Sequence, residues 1–207
     1  MVIKFSRFKS LFVFGVSLCL VLVCGLAFGQ AHASGKLLRT QVHIEGNEIT
    51  GTLILTQREN SPVRIRGAIQ GNPAILTPGL HGFHIHSVGV CDPNAQPPFS
   101  TAGGHFDPGP FSSETPVEVN HPYHLGELPN LVVDEQGRAT YYAITSRVTL
   151  SDSPVSVFDE NGSAIIIHKL PDLQKAGGTA ADAGGPRIGC GVISYKDESQ
   201  ESDNDEG

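Results

Sequence analysis

The stretch VRIRGAIQ, Val63 to Gln70, alternates residue by residue. Val63, Ile65, Gly67 and Ile69 fall on one side, and Arg64, Arg66, Ala68 and Gln70 on the other. Period-two alternation puts one face of a strand against a core and the other in water. No convincing amphipathic helix appears anywhere in the chain. Short β-type runs recur instead between clusters of Gly, Pro, Asn and Asp: Lys36–Ile44, Glu48–Gln57, Val63–Gln70, Gly79–Ser87, Leu131–Asp134, Arg138–Ile144, Ala164–His168 and Ile188–Tyr195. Glu45-Gly46-Asn47 and Asp134-Glu135-Gln136-Gly137 read as turns between neighbouring runs. Without helical crossovers the strands cannot be parallel. The expected fold is all-β: an eight-stranded antiparallel Greek-key β-sandwich or flattened barrel. Two connections, Val88–Asn130 and Lys169–Arg187, far exceed hairpin length. Long ordered loops on a compact β-scaffold are usually functional.

The two ends read differently from this body. Lys4, Arg7 and Lys9 precede the uncharged apolar run Leu11–Phe28, and Ala31-His32-Ala33 offers a small-residue cleavage site. Residues 1–33 read as a secretory signal cut before Ser34, with an uncleaved membrane anchor as the alternative. Residues 196–207, KDESQESDNDEG, have nothing apolar to bury and read as a disordered acidic tail. The domain is then 34–195. Removing the signal takes three of the 14 basic residues and none of the 21 acidic ones, leaving 11 minus 21, or −10. That charge argues against a nucleic-acid partner. It leaves two cysteines, Cys91 and Cys190, which in an exported chain read as one disulfide, or else as two buried thiols. The expected location is periplasmic or extracellular. The oligomeric state stays open.

Histidine is concentrated in one part of the chain. Of the eight that remain after the signal, six lie in Gly79–Ser87 or in the long loop after it: His81, His84, His86, His105, His121 and His124. His168 stands just before the second long loop, and His43, which stands apart, is given no role. On a strand His84 and His86 project from one face, a residue apart, as a ready chelate. His81, Phe83 and Ile85 point to the other face, which makes His81 a structural histidine bonding nearby backbone. Gly103-Gly104-His105-Phe106 sets an imidazole in a glycine-opened turn. Asn120 to Glu127 supplies two more and a carboxylate, and Ile165-Ile166-Ile167-His168 ends a buried run on another. Imidazole sets suit copper or zinc, and imidazole with carboxylate suits zinc.

The motifs GLHGFHIH, TAGGHFDP, HLGELPNL, IIIH and GGPRIGCGVI, in that order, resemble the copper/zinc superoxide dismutase family. The resemblance covers about Lys36 to Tyr195. It implies that His84, His86, His105 and His168 hold a copper ion, with His105 bridging to a zinc ion. It implies His124 on the zinc, Arg187 as a guanidinium beside the copper, and Cys91 and Cys190 as the family disulfide. Asp172 is implied as the carboxylate linking histidines of the two metals. Two positions depart from the family pattern. Glu127 stands where the family has Asp. Phe111–Pro116, where the other zinc histidine belongs, has none, so His121 either takes its place or is a surface histidine.

The implied reaction is disproportionation of the superoxide anion to dioxygen and hydrogen peroxide. It needs a redox metal, which zinc is not. His105 and Arg187 are the catalytic candidates, one for the proton and one for drawing an anion to an acidic protein. Lys169, Lys175 and Arg187 outnumber Asp172 and Asp182 along the second loop. The alternative is a non-catalytic copper carrier of the same fold, which has no need of Arg187 or of a bridging imidazole.

Overall fold

The computed structural model describes residues 35–109 and 120–195. The segments read as a secretory signal and as an acidic tail lie outside these residues, as does Phe111–Pro116. The first three strands, β1 Leu37–Gly46, β2 Ile49–Arg58 and β3 Val63–Gly71, form a meander. They are followed by β4 Gly79–His81, β5 Phe83–His86, β6 Leu131–Val133 and β7 Arg138–Thr145. The last two are β8 Ser163–His168 and β9 Arg187–Ile193. Seven strands make one sheet in the order β5-β8-β9-β1-β2-β3-β7, and β4 pairs with β6 in a second. Every pairing between these strands is antiparallel. No α-helix occurs among the described residues. The all-β antiparallel expectation holds, and the large sheet curls into a half-barrel.

Three details differ from the sequence reading. The run Gly79–Ser87 is two strands, which makes nine rather than eight. It breaks at Gly82, whose N–H donates to Leu170 O (2.7 Å) and whose carbonyl accepts from His168 N (2.8 Å). Those bonds turn the chain from one sheet to the other. The first turn is Asn47-Glu48, with Glu48 at φ 51°, so β1 extends two residues beyond its expected end. A third long connection, 146–162, also packs into the core. Its Val148, Leu150 and Val157 are buried, and Gln57 Oε1 ties it to β2 by accepting from Leu150 N (2.7 Å) and Thr149 Oγ1 (2.8 Å).

The alternation seen in VRIRGAIQ is realised in register. Val63, Ile65 and Ile69 are buried with Leu53 and Leu55 of β2 and Val42 and Ile44 of β1, while Arg64 and Arg66 are exposed. Each fully buried aliphatic contributes about 1.5–3 kcal/mol, so this interior carries the stability of the half-barrel. Phe83, Ile85, Ile165 and Ile167 extend the same interior to β5 and β8. The opposite face of those two strands is not in water. His84 pairs with Ile166 and His86 with Ala164, and all four are 0 % exposed. A second small core of Phe99, Ala102, Ala164, Ile166 and Cys190 lies there under the first long loop. Cys91 and Cys190 are joined by a disulfide that ties this loop to β9, which settles the choice against free thiols.

Candidate metal centre

Backbone pairing, not side-chain reach, brings the histidines together. The first long loop returns twice alongside β5. Phe106 N donates to Ile85 O (2.8 Å), Ile85 N to Gly126 O (2.9 Å) and Gly126 N to Phe106 O (2.8 Å). These bonds set His105 opposite His86 and Glu127 opposite His84. Only glycine fits at 126, because a Cβ there would run into Ile85 O. On the other side a bulge at the end of β8 skips one residue of β9 and pairs His168 with Arg187. A bulge re-aims the side chain that follows it. One ligand atom each from His84, His86, His105 and His168 lies within 4.8 Å of the others, and all four residues are buried. His105 belongs also to a second group with His124 and Glu127 under the same distance limit.

The hydrogen bonds fix which nitrogen of each ring keeps its lone pair. His86 Nδ1–H donates to Gly103 O (3.0 Å) and His168 Nδ1–H to Gly185 O (2.9 Å), since a carbonyl only accepts. His84 Nε2–H donates to Asp172 Oδ2 (2.9 Å) and His105 Nδ1–H to Glu127 Oε1 (2.8 Å). The lone pairs left over are on Nδ1 of His84 and on Nε2 of the other three. Those of His86 and His168 face each other at 3.3 Å, an arrangement that repels unless a cation lies between them. A proton is disfavoured there. Burial, then neighbouring imidazoles, hold His84 and His86 well below the ordinary histidine range, and burial pushes His168 down to about 3. His105 is lowered by burial despite its bond to Glu127. Among the described residues, five buried side-chain polar atoms lack a hydrogen bond, and His84 Nδ1, His121 Nε2 and Glu127 Oε2 are three of them. Converging neutral nitrogens with orphaned lone pairs fit a bound metal ion. An all-imidazole set suits several transition metals, copper and zinc among them, and a set that adds a carboxylate is one zinc also accepts.

Glu127 fills the place predicted for a carboxylate. Its Oε1 accepts from Nδ1 of both His105 and His124 at 2.8 Å. Burial alone would raise its pKa, but these two donors outweigh burial and hold the carboxyl below its usual range. His121 is buried rather than on the surface. It stands beside the second group, with Nε2 3.9 Å from Glu127 Oε2, and its Nδ1–H donates to Lys175 O (3.2 Å). Its Nε2 is 3.1 Å from Asp172 Oδ1, off the line a hydrogen bond needs. Asp172 therefore sits between His84 and His121. His81, as expected of a structural histidine, spans Thr77 O (2.7 Å) and His168 O (2.8 Å) inside the fold. His43 is exposed on β1, away from the cluster, beside Gln41.

Arg187 is pinned on the other flank. Its Nη1 donates to Phe99 O and its Nη2 to Gly103 O, each at 2.6 Å. Gly103 O is also the acceptor for His86, so the guanidinium and that imidazole share one carbonyl. Lys175 pairs with Asp182 (3.7 Å), which leaves Lys169 and Arg187 against Asp172 in the second loop, a surplus of one positive charge.

The family model for copper/zinc superoxide dismutase (SODC) matches residues 49–193. The chain belongs to the copper/zinc superoxide dismutase family. A curated relative, superoxide dismutase [Cu-Zn] 2 of Brassica juncea, is 32% identical over 150 residues, spanning 70% of this chain and 89% of its own length. A crystal structure of a double mutant of a SOD-like protein from Bacillus subtilis matches with a TM-score of 0.59 and 30% identity, covering 75% of this chain and 97% of that one. The clock protein EA4 matches with a TM-score of 0.56 and 25% identity, over 80% and 99%.

One supporting residue of this superoxide dismutase-type site escaped the sequence reading. Asn130 Nδ2 donates to Asp172 O (2.8 Å) and its Oδ1 accepts from Asp172 N (2.8 Å), across 42 residues. Its place at the end of HLGELPN was the available signal, but nothing in that stretch names its partner.

Proposed function

We propose that the chain is a superoxide dismutase: two superoxide anions and two protons give dioxygen and hydrogen peroxide. The observation that carries the reading is the set of four buried, neutral imidazoles whose free lone pairs converge beside a fixed guanidinium. A copper ion held by His84, His86, His105 and His168 supplies the one-electron couple that the reaction requires. Zinc would be held by His105, His124 and Glu127 in place of the Nδ1 protons that the two imidazoles give to Glu127 in the metal-free chain, with His121 flanking them. Arg187 stays charged and draws the anion toward His86, against the repulsion of an acidic protein. His105 turns Nδ1 toward Glu127 and Nε2 toward the four-imidazole set, so Nε2 is the atom that would take up a proton and pass it on. Asp172 orients His84. The disulfide supports action in an oxidising compartment outside the cytoplasm, in keeping with the reading of residues 1–33 as a secretory signal.

The test is dismutation by the copper- and zinc-loaded chain, with Arg187→Ala beside it. The wild-type chain should be active, and the variant should lose about tenfold in association rate and most of its salt dependence while retaining copper. A copper-loaded chain without activity would leave the carrier reading standing, because the four-imidazole set alone serves a carrier equally well.

A further inference from the structure

The outward face of β1, β2 and β3 is basic, although the chain carries a net charge of −7. Arg39, Arg58, Arg64 and Arg66 are exposed there. None of the four forms an ion pair among the described residues, where the only Lys or Arg pairs are Arg138 with Asp134 and Lys175 with Asp182. The register groups them. Arg39 lies opposite Thr56, which lies opposite Arg64. At one strand spacing per step, Arg39 and Arg64 are about 10 Å apart, and Arg64 and Arg66 are about 7 Å apart along β3. Glu45, the carboxylate on this face of β1, is six residues and about 20 Å from Arg39. Glu59 lies at the turn beyond Arg58. Four unpartnered guanidiniums on one end of a sheet are a counter-charge surface.

The described chain ends beside β1, at the level of Arg39 and on the inner side of the sheet. Ser194 O accepts from Thr40 Oγ1 (2.5 Å), and the Tyr195 ring packs edge-to-face on Phe158 at 5.5 Å. Thr40 adjoins Arg39. The twelve residues that follow, 196–207, hold six carboxylates and one lysine. Fully extended, they reach up to about 40 Å, enough to cross all three strands.

We propose that the acidic segment 196–207 docks on this arginine face of its own chain. Its six carboxylates supply the counter-charge for Arg39, Arg58, Arg64 and Arg66. Each exposed pair is weak, but tethering holds the partner at high effective concentration. The docked segment neutralises a patch that otherwise attracts anionic partners, and salt releases it. The docking is independent of the metal centre.

Arginine-specific modification read by peptide mapping tests this on the full chain. At low salt Arg39, Arg64 and Arg66 should react about fivefold more slowly in the full chain than in a chain ending at Tyr195, with Arg147 unchanged. The difference should vanish at about 0.5 M NaCl. A full-length chain with all six tail carboxylates changed to amides keeps the fold and should behave as the truncated one. Equal rates in all three chains, or protection spread equally to Arg147, overturn the proposal. Equal retention of the full and truncated chains on immobilised heparin also overturns it, and assigns the face to an external polyanion.

Discussion

Replacing Asn130 by Ala removes both halves of the clamp on Asp172. The Asp172 backbone N–H and carbonyl each lose a partner at 2.8 Å, at a residue only 3% exposed. An unmet buried backbone group costs about 1–3 kcal/mol. Water entering the space left by the amide favours the low end, so the pair should cost about 2–3 kcal/mol. The loss should concentrate in the second long loop, because Asp172 also anchors Gln174 N through Oδ1 (2.6 Å) and His84 through Oδ2. At about 1.4 kcal/mol per decade, amide exchange at Asp172 and Gln174 should quicken by roughly 30-fold or more. Exchange in β1 to β3 should change far less. Copper affinity, measured by competition with a chelator, should fall roughly 10- to 100-fold, the usual penalty for loosening the acceptor behind a metal-binding histidine. Asn130→Asp keeps the accepting oxygen and should restore protection of the Asp172 amide alone. If Asn130→Ala lowers thermal stability but leaves exchange at Asp172 and copper affinity unchanged, the residue merely supports β6, and the link from Asn130 through Asp172 to His84 is wrong.

Reducing the disulfide, or Cys91→Ser, releases a loop with a sequence separation of 99 and should cost about 4–5 kcal/mol in a guanidinium melt. A cost below about 1 kcal/mol would mean that the first long loop is held by its backbone bonds to β5 alone. The metal-free chain should weaken on acidification. His168 stays neutral in the fold down to about 3, whereas the unfolded chain takes up that proton near 6.5, so protons favour unfolding throughout that window. His84, His86 and His105 shift in the same direction. Stability is full above pH 6.5 and should have fallen by roughly 3 kcal/mol at pH 4.5 through His168 alone. Urea midpoints that do not change between pH 7.5 and 4.5 would contradict neutral imidazoles in the cluster.

Much of this is legible in the chain because the signals are local. Alternation fixes which face of β3 is buried, and the period of two puts His84 and His86 side by side. The Asp134 to Gly137 turn follows from its own residues: Asp134 Oδ1 accepts from Gln136 N and Arg138 N (2.9 Å each), and Gly137 sits at φ 72°. The break at Gly82 is not local. It arises because Leu170 and His168, nearly ninety residues later, offer hydrogen bonds that a continuous strand would forgo. Nor does the sequence show that the outward face of β5 is dry, since that depends on two distant loops folding over it.

Residue types and spacings alone determined the antiparallel β class, the supply of imidazole and carboxylate ligands, and the single pair of cysteines in the body of the chain. Only the tertiary structure decided which nitrogen of each ring is free, that Glu127 serves two histidines at once, and that Asn130 holds Asp172. Those outcomes depend on angles between groups brought together by backbone pairing across tens of residues. A hydrogen bond is specified by the positions of both partners, and a sequence fixes only one partner at a time.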